Sequence, residues 1–198
     1  MSLFQNIIII IVLIIAAGFL SLTEIALAGA RKVKLKILAE SGEIRAQKVL
    51  DLQEQSADFF AASQIGLNAV AILGGILGEA AFRPFFVEML KQFYVGPWLE
   101  TIGFALSFTL VTSLFILFAD LMPKRLAMIA PEKIAISVIE PIQVFIKVCK
   151  PLAWGINAIA NLLFRLFKVN TIRDDNITFD DISAVMDAGA QAGVLQKQ

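Results

Sequence analysis

Six polar side chains stand inside long apolar stretches of this chain: Ser21, Glu24, Gln64, Asn68, Ser113 and Asp120. Two carboxylates, two carboxamides and two hydroxyls make an oxygen-rich set suited to a small cation. The carboxylates supply charge, and the amide and hydroxyl oxygens accept N–H bonds or ligate a hard metal. Their spacing is helical. Ala17, Ser21, Glu24 and Ala28 fall at i, i+4, i+7 and i+11. Gln64, Asn68, Gly75 and Glu79 share one face of a second segment, and Thr109, Ser113, Ile116 and Asp120 share one of a third. Ionisable groups at such depth are costly in lipid, which makes each a candidate for function.

Each residue also has a plainer reading. Ser21 and Ser113 can bond their own backbone one turn back. Asn68 can act as glue between helices, and Gly74 and Gly78 form a small-xxx-small packing pattern. Glu79 suits an outer interface. Glu24 and Asp120 can pair with Lys or Arg at the inner boundary. Three stripes facing one another, however, would enclose an oxygen-lined cleft.

The elements that position these residues are membrane spans. Hydrophobic residues make up 58% of the chain and mean hydropathy is +0.79, more than a soluble core of this length can hide. The spans read as Phe4–Ala28, Phe59–Phe82 and Thr101–Met122, each long enough to cross a core of about 30 Å. The first is too long for a signal peptide h-region and has no basic residue before it. Pro123 is expected to end the third span, loosening the hydrogen-bond ladder beside Asp120. Freed carbonyls there can line a cavity, so Pro123, Lys124 and Gly75 are read as helix-break or gating positions.

Charge sets the orientation. Arg31, Lys32, Lys34, Lys36, Arg45 and Lys48 lie between the first two spans, whereas the second connection has only Arg83 and Lys91. The N-terminus is therefore expected outside and everything after Pro123 inside. At 1.5 Å per residue, Ser21 and Asn68 both come roughly 14–15 Å above the inner boundary.

Residues 131–169 are apolar but carry Lys133, Glu140, Lys147 and Lys150, with Pro141 and Pro151 expected to break or kink a helix. Helices lying in the cytoplasmic interface satisfy these features; a kinked fourth span is the alternative. Residues 170–198 are acidic and read as a linker with a short helix. The expected fold is thus all-α: a three-span domain over 1–130, an interfacial belt over 131–169, and the linker.

Other chemistries are excluded. The chain has no His and one Cys, which removes His/Cys zinc sites and a disulfide framework. The formal net charge of zero gives no field for nucleic acid. No nucleophile–base pair, phosphate loop or redox motif appears, so an enzyme is not expected.

Three motifs carry a resemblance: Phe19-Leu-Ser-Leu-Thr-Glu-Ile-Ala, Gln64-Ile-Gly-Leu-Asn68 and Asp120-Leu-Met-Pro-Lys124. In this order they resemble the CNNM/CorC family of membrane proteins. That resemblance implies three spans, an external N-terminus, a belt of cytoplasmic-side helices and a homodimer in the bacterial inner membrane. It also implies a cytosolic CBS-domain pair after this stretch, where ATP would bind; no cofactor is expected within it. Mg²⁺ or Co²⁺ efflux is the family's association, with Ser21, Asn68 and Asp120 as the implied cation-binding positions. Metal-transporting members usually have Glu where this chain has Asp120, and the shorter side chain reaches less far toward a Mg²⁺ that needs oxygens at about 2.1 Å. Gln64 to Gly75, with Phe118-Ala-Asp-Leu and Ile129-Ala-Pro-Glu, looks closest to a subgroup associated with putrescine and cadaverine export. The expectation is an exporter of small cations, diamines ahead of Mg²⁺/Co²⁺. A membrane-anchored regulator that transports nothing is the competing reading.

Overall fold

The computed structural model describes residues 3–166, and every regular element among them is helical. Helix α1 (Leu3–Gly29) leads into a hairpin of α2 (Lys32–Glu40) and α3 (Ile44–Glu54). Gly42, with φ of 101°, makes the turn between them in the left-handed region that favours glycine. Long α4 (Ser56–Lys91) and α5 (Leu99–Leu114) follow; α5 passes through a π-helical segment, Phe115–Leu121, into α6 (Met122–Ile129). Helix α7 spans Pro131–Leu166. Three helices are long and apolar enough to cross a membrane: Phe4–Gly29, Ser56–Lys91 and Leu99–Ile129. The all-α, three-span architecture read from hydropathy is found. The first of two compact units ends at Gly155, and the contacts described below belong to it.

Prolines behave differently from expectation. Helix α7 runs through Pro141 and Pro151 without interruption. Pro123 likewise does not end the third span, which continues to Ile129. Proline removes an N–H and crowds the carbonyl four residues back. Before Pro123 the helix accommodates this by widening: the Met122 N–H bonds the Leu117 carbonyl, five residues back. At 36 residues, α4 is about 54 Å long and must extend beyond a core of about 30 Å.

Glycine lets α4 and the third span approach. A Cβ on Gly74 would overlap the Phe115 ring, and one on Gly78 would lie 2.5 Å from Val111. Gly74-x-x-x-Gly78 is thus a packing surface, as its spacing predicts. On α1, a Gly18 Cβ would come within 3.2 Å of the Pro123 ring and 3.3 Å of the Phe118 carbonyl, so α1 lies close against the π segment.

Below the spans, α2, α3 and the first part of α7 close a core that includes Leu27, Leu35, Val49, Phe59, Ile139 and Ile142. Ala135, Ile139 and Ile142 supply the buried face of α7 at i, i+4 and i+7. Ion pairs tie the same elements. Glu132 meets Arg31 at 3.0 Å and Lys34 at 3.5 Å; Glu140 meets Arg45 at 3.4 Å and Lys48 at 3.5 Å. The Arg31 hydrogen bond, helped by the backbone N–H at the start of α7 and by Lys34, holds the Glu132 carboxyl below the usual carboxylate range. Gln53 Nε2 caps the end of α1, bonding the carbonyls of Leu27 (2.7 Å) and Ala30 (2.9 Å). The expected linker over 170–198 lies outside the described residues.

Candidate cation-binding cleft

Ser21 is fully buried on α1, and its hydroxyl leaves the helix rather than bonding back to it. It donates to Asp120 Oδ1 at 3.1 Å, with the Asp120 backbone carbonyl also within reach at 3.4 Å. The same Oδ1 receives Lys124 Nζ at 2.6 Å from one turn further along the third span. Asp120 therefore already holds one hydroxyl and one ammonium. Its neighbour Ala119 is buried against the protein, while the Asp120 side chain keeps 48% of its surface open.

One turn below Ser21, Glu24 accepts a bond from Gln64 Nε2 of α4 at 3.3 Å. A carboxylate on one helix and a carboxamide on the next thus meet across the α1–α4 seam. Asn68, one turn above Gln64, is exposed and has no hydrogen-bonding partner among the described residues. Glu24, Gln64, Asn68, Asp120 and Lys124 line one cavity of about 370 Å³, with Phe115 among its apolar walls. A single water needs about 10–15 Å³ of such space, so the cavity has room for many.

The structure brings together Ser21, Glu24, Gln64, Asn68, Asp120 and Lys124. It leaves out two positions read from the sequence. Ser113 is exposed and does not line the cavity. Its i+7 relation to Asp120 assumes α-helical phase, and the intervening π segment breaks that phase. Gly75 is half-buried, and a Cβ there would meet nothing within 4 Å, so it neither packs closely nor lines the cleft. Pro123 stands behind the site against Gly18. Glu79 bonds Arg83 one turn on, and Arg83 also lies 5.8 Å from the centre of the Phe104 ring, away from the cleft. Sequence reasoning missed Phe115 and the π segment; the signal for the latter was Pro123 inside a run otherwise able to continue as helix.

The lining combines charge with hydrogen-bond acceptors. Glu24 and Asp120 against Lys124 leave one net negative charge in the lining. Among the described residues no group of three or more His, Cys, Asp or Glu side chains converges as a metal site. The arrangement is rich in acceptors for N–H donors and already accommodates an alkylammonium.

These features define a multi-pass helical membrane domain with a charged cleft between its spans. The chain belongs to the CNNM family: the cyclin M transmembrane N-terminal domain matches residues 8–198. It is 52% identical over 194 residues to the polyamine export protein of Escherichia coli strain K12, covering 98% of this chain and 43% of that protein. It is 53% identical to the Salmonella typhimurium polyamine export protein over the same length, again 98% of this chain and 43% of the other. The Haemophilus influenzae protein of that name is 46% identical over 198 residues, all of this chain and 46% of its own length. The chain spans less than half the length of these curated relatives.

Proposed function

We propose that this chain is the membrane domain of an exporter of small organic cations, diamines such as putrescine and cadaverine in particular, which bind in the cleft between α1, α4 and the π segment. The observation that carries the reading is the Asp120 carboxylate holding the Lys124 ammonium at 2.6 Å inside a cavity shared with Glu24, Gln64 and Asn68. A site that accepts one primary ammonium has the charge and the acceptors for another. The names of the Escherichia coli and Haemophilus influenzae relatives support the same substrate class.

In this mechanism a cytosolic diamine is drawn by Glu24 and Asp120 and settles between Ser21 and Asn68. Rearrangement of α1 against α4 and the third span then opens the site outward. Two ammonium groups carry two positive charges, so both carboxylates are needed to balance them.

The proposed setting is a homodimer in a bacterial inner membrane, with residues 1–130 spanning it and the N-terminus outside. The basic count between α1 and α4 supports this orientation. Residues 131–169 then lie along the cytoplasmic interface, as the pairing of Glu132 and Glu140 with the basic residues of that connection supports. A cytosolic CBS-domain pair follows through residues 170–198.

The test is flux. Full-length protein in vesicles is expected to move putrescine, and Asp120→Ala or Asn68→Ala to abolish or sharply reduce that movement. Mg²⁺ movement without putrescine would replace the diamine reading with metal efflux. No flux of either would leave a regulator that transports nothing.

A further inference from the structure

The cleft contains a primary alkylammonium of its own. Lys124 lies one helical turn beyond Asp120, its Nζ touches Asp120 Oδ1 at 2.6 Å, and its side chain lines the same cavity as Glu24, Gln64 and Asn68. The end of a diamine and the end of a lysine are the same chemical group on the same kind of methylene stem. Whatever acceptors suit one suit the other, so the two compete for one oxygen.

Charge carries the argument further. With Lys124 on Asp120 the charged lining sums to one negative; with Lys124 withdrawn it sums to two. A diammonium entering while Lys124 stays would leave a surplus positive charge in a cleft between apolar helices, which is costly. The Lys124 side chain is 34% exposed, so its flexible stem can carry the ammonium off Asp120 toward the cavity mouth. Conversely, an empty cleft without Lys124 would hold two carboxylates and no cation. The lysine relieves that state.

Resting on the diamine reading of the cleft, we propose that Lys124 is a tethered surrogate for substrate: its ammonium occupies the substrate's place on Asp120 in the cation-free cleft, and an entering amine displaces it.

The plainer role is an i,i+4 pair that steadies the helix where α6 begins. The two roles part on affinity. As a helix staple, Lys124 affects a cation only through its charge, so Lys124→Arg, which keeps that charge, binds as the wild type does. As a surrogate, its removal tightens binding and its replacement by the stronger carboxylate partner arginine weakens it. The pair is half-exposed and its net worth correspondingly modest, so the expected gain is roughly fivefold. Arginine, which holds a carboxylate in a two-pronged fork, should compete harder than lysine.

The experiment is calorimetric titration of full-length protein in detergent with putrescine and, separately, n-propylammonium. Lys124→Met should bind both roughly fivefold tighter than the wild type, and Lys124→Arg more weakly than the wild type. Should Lys124→Met be unstable, Lys124→Ala with n-propylammonium gives an independent reading: the small amine fills the vacated place and raises the unfolding midpoint more than in the wild type. Binding that is unchanged or weakened in Lys124→Met, or unchanged in Lys124→Arg, overturns the surrogate role and leaves the cation site standing. Failure of wild type and Lys124→Met alike to bind either amine overturns both. Binding that appears only in Lys124→Met supports the surrogate role as a block on the empty site.

Discussion

Replacing Ser21 with alanine removes one hydroxyl from a fully buried position and tests whether α1 positions the carboxylate of the third span. The bond to Asp120 Oδ1 is 3.1 Å, longer than the usual 2.7–2.8 Å for two oxygens. A hydrogen bond to an ionised acceptor contributes about 1.5–3 kcal/mol. Its length, and the 48% of the Asp120 side chain that is open, place this one at the low end. About 1.5 kcal/mol corresponds to a roughly tenfold loss of putrescine affinity. Calorimetry on full-length protein reads the loss directly, and a double-mutant cycle reads its cause. If Ser21 acts by holding Asp120, then Ser21→Ala in an Asp120→Ala background should cost almost nothing further. A full tenfold loss in that background would mean that Ser21 meets the ligand independently of Asp120, and the positioning argument would fall.

Two further expectations come from packing and pH. Gly74→Ala drives a methyl into the Phe115 ring and should cost about 1–3 kcal/mol, lowering the unfolding midpoint in detergent. Gly75→Ala, one residue on with open space around it, should gain up to about 1 kcal/mol from helix propensity instead. Equal effects at the two positions would show that the α4–third span contact is not as drawn. Arg31 holds Glu132 below the usual carboxylate range, so its contribution is complete at neutral pH, fades as pH falls through that range and is gone below the lowered value. Hydrogen exchange in the first turns of α7 should therefore quicken on acidification, and Glu132→Gln should exchange fast already at neutral pH. An unchanged pH dependence in Glu132→Gln would assign the effect to another group.

The sequence revealed most where hydropathy and helical phase act alone. Three apolar runs foretold three spans, and Ser21 with Glu24, or Gln64 with Asn68, could be paired because α1 and α4 are ordinary α-helices there. Ser113 does not line the cavity, because helical phase does not survive the π segment between it and Asp120. Prolines misled about boundaries, since Pro123, Pro141 and Pro151 all sit within continuing helices. The bonds that fasten α7 were invisible in the sequence. Arg31 and Glu132 stand 101 positions apart, and Lys48 and Glu140 stand 92 apart, so no local pattern marks them as partners.

The π segment also bears on how this domain tolerates insertions and deletions. A single-residue deletion inside an α-helix ordinarily turns everything beyond it by about 100° and spoils two packed faces at once. Between Phe115 and Phe118 the effect is the reverse for the backbone: removing one residue closes the wide turn to an α-turn and restores regular bonding. The wide turn already absorbs the extra residue, so in such a shortened chain Asp120 keeps nearly the same facing toward Ser21. This one stretch of the third span thus tolerates the loss of a residue that elsewhere in the helix would turn the carboxylate away from the cleft.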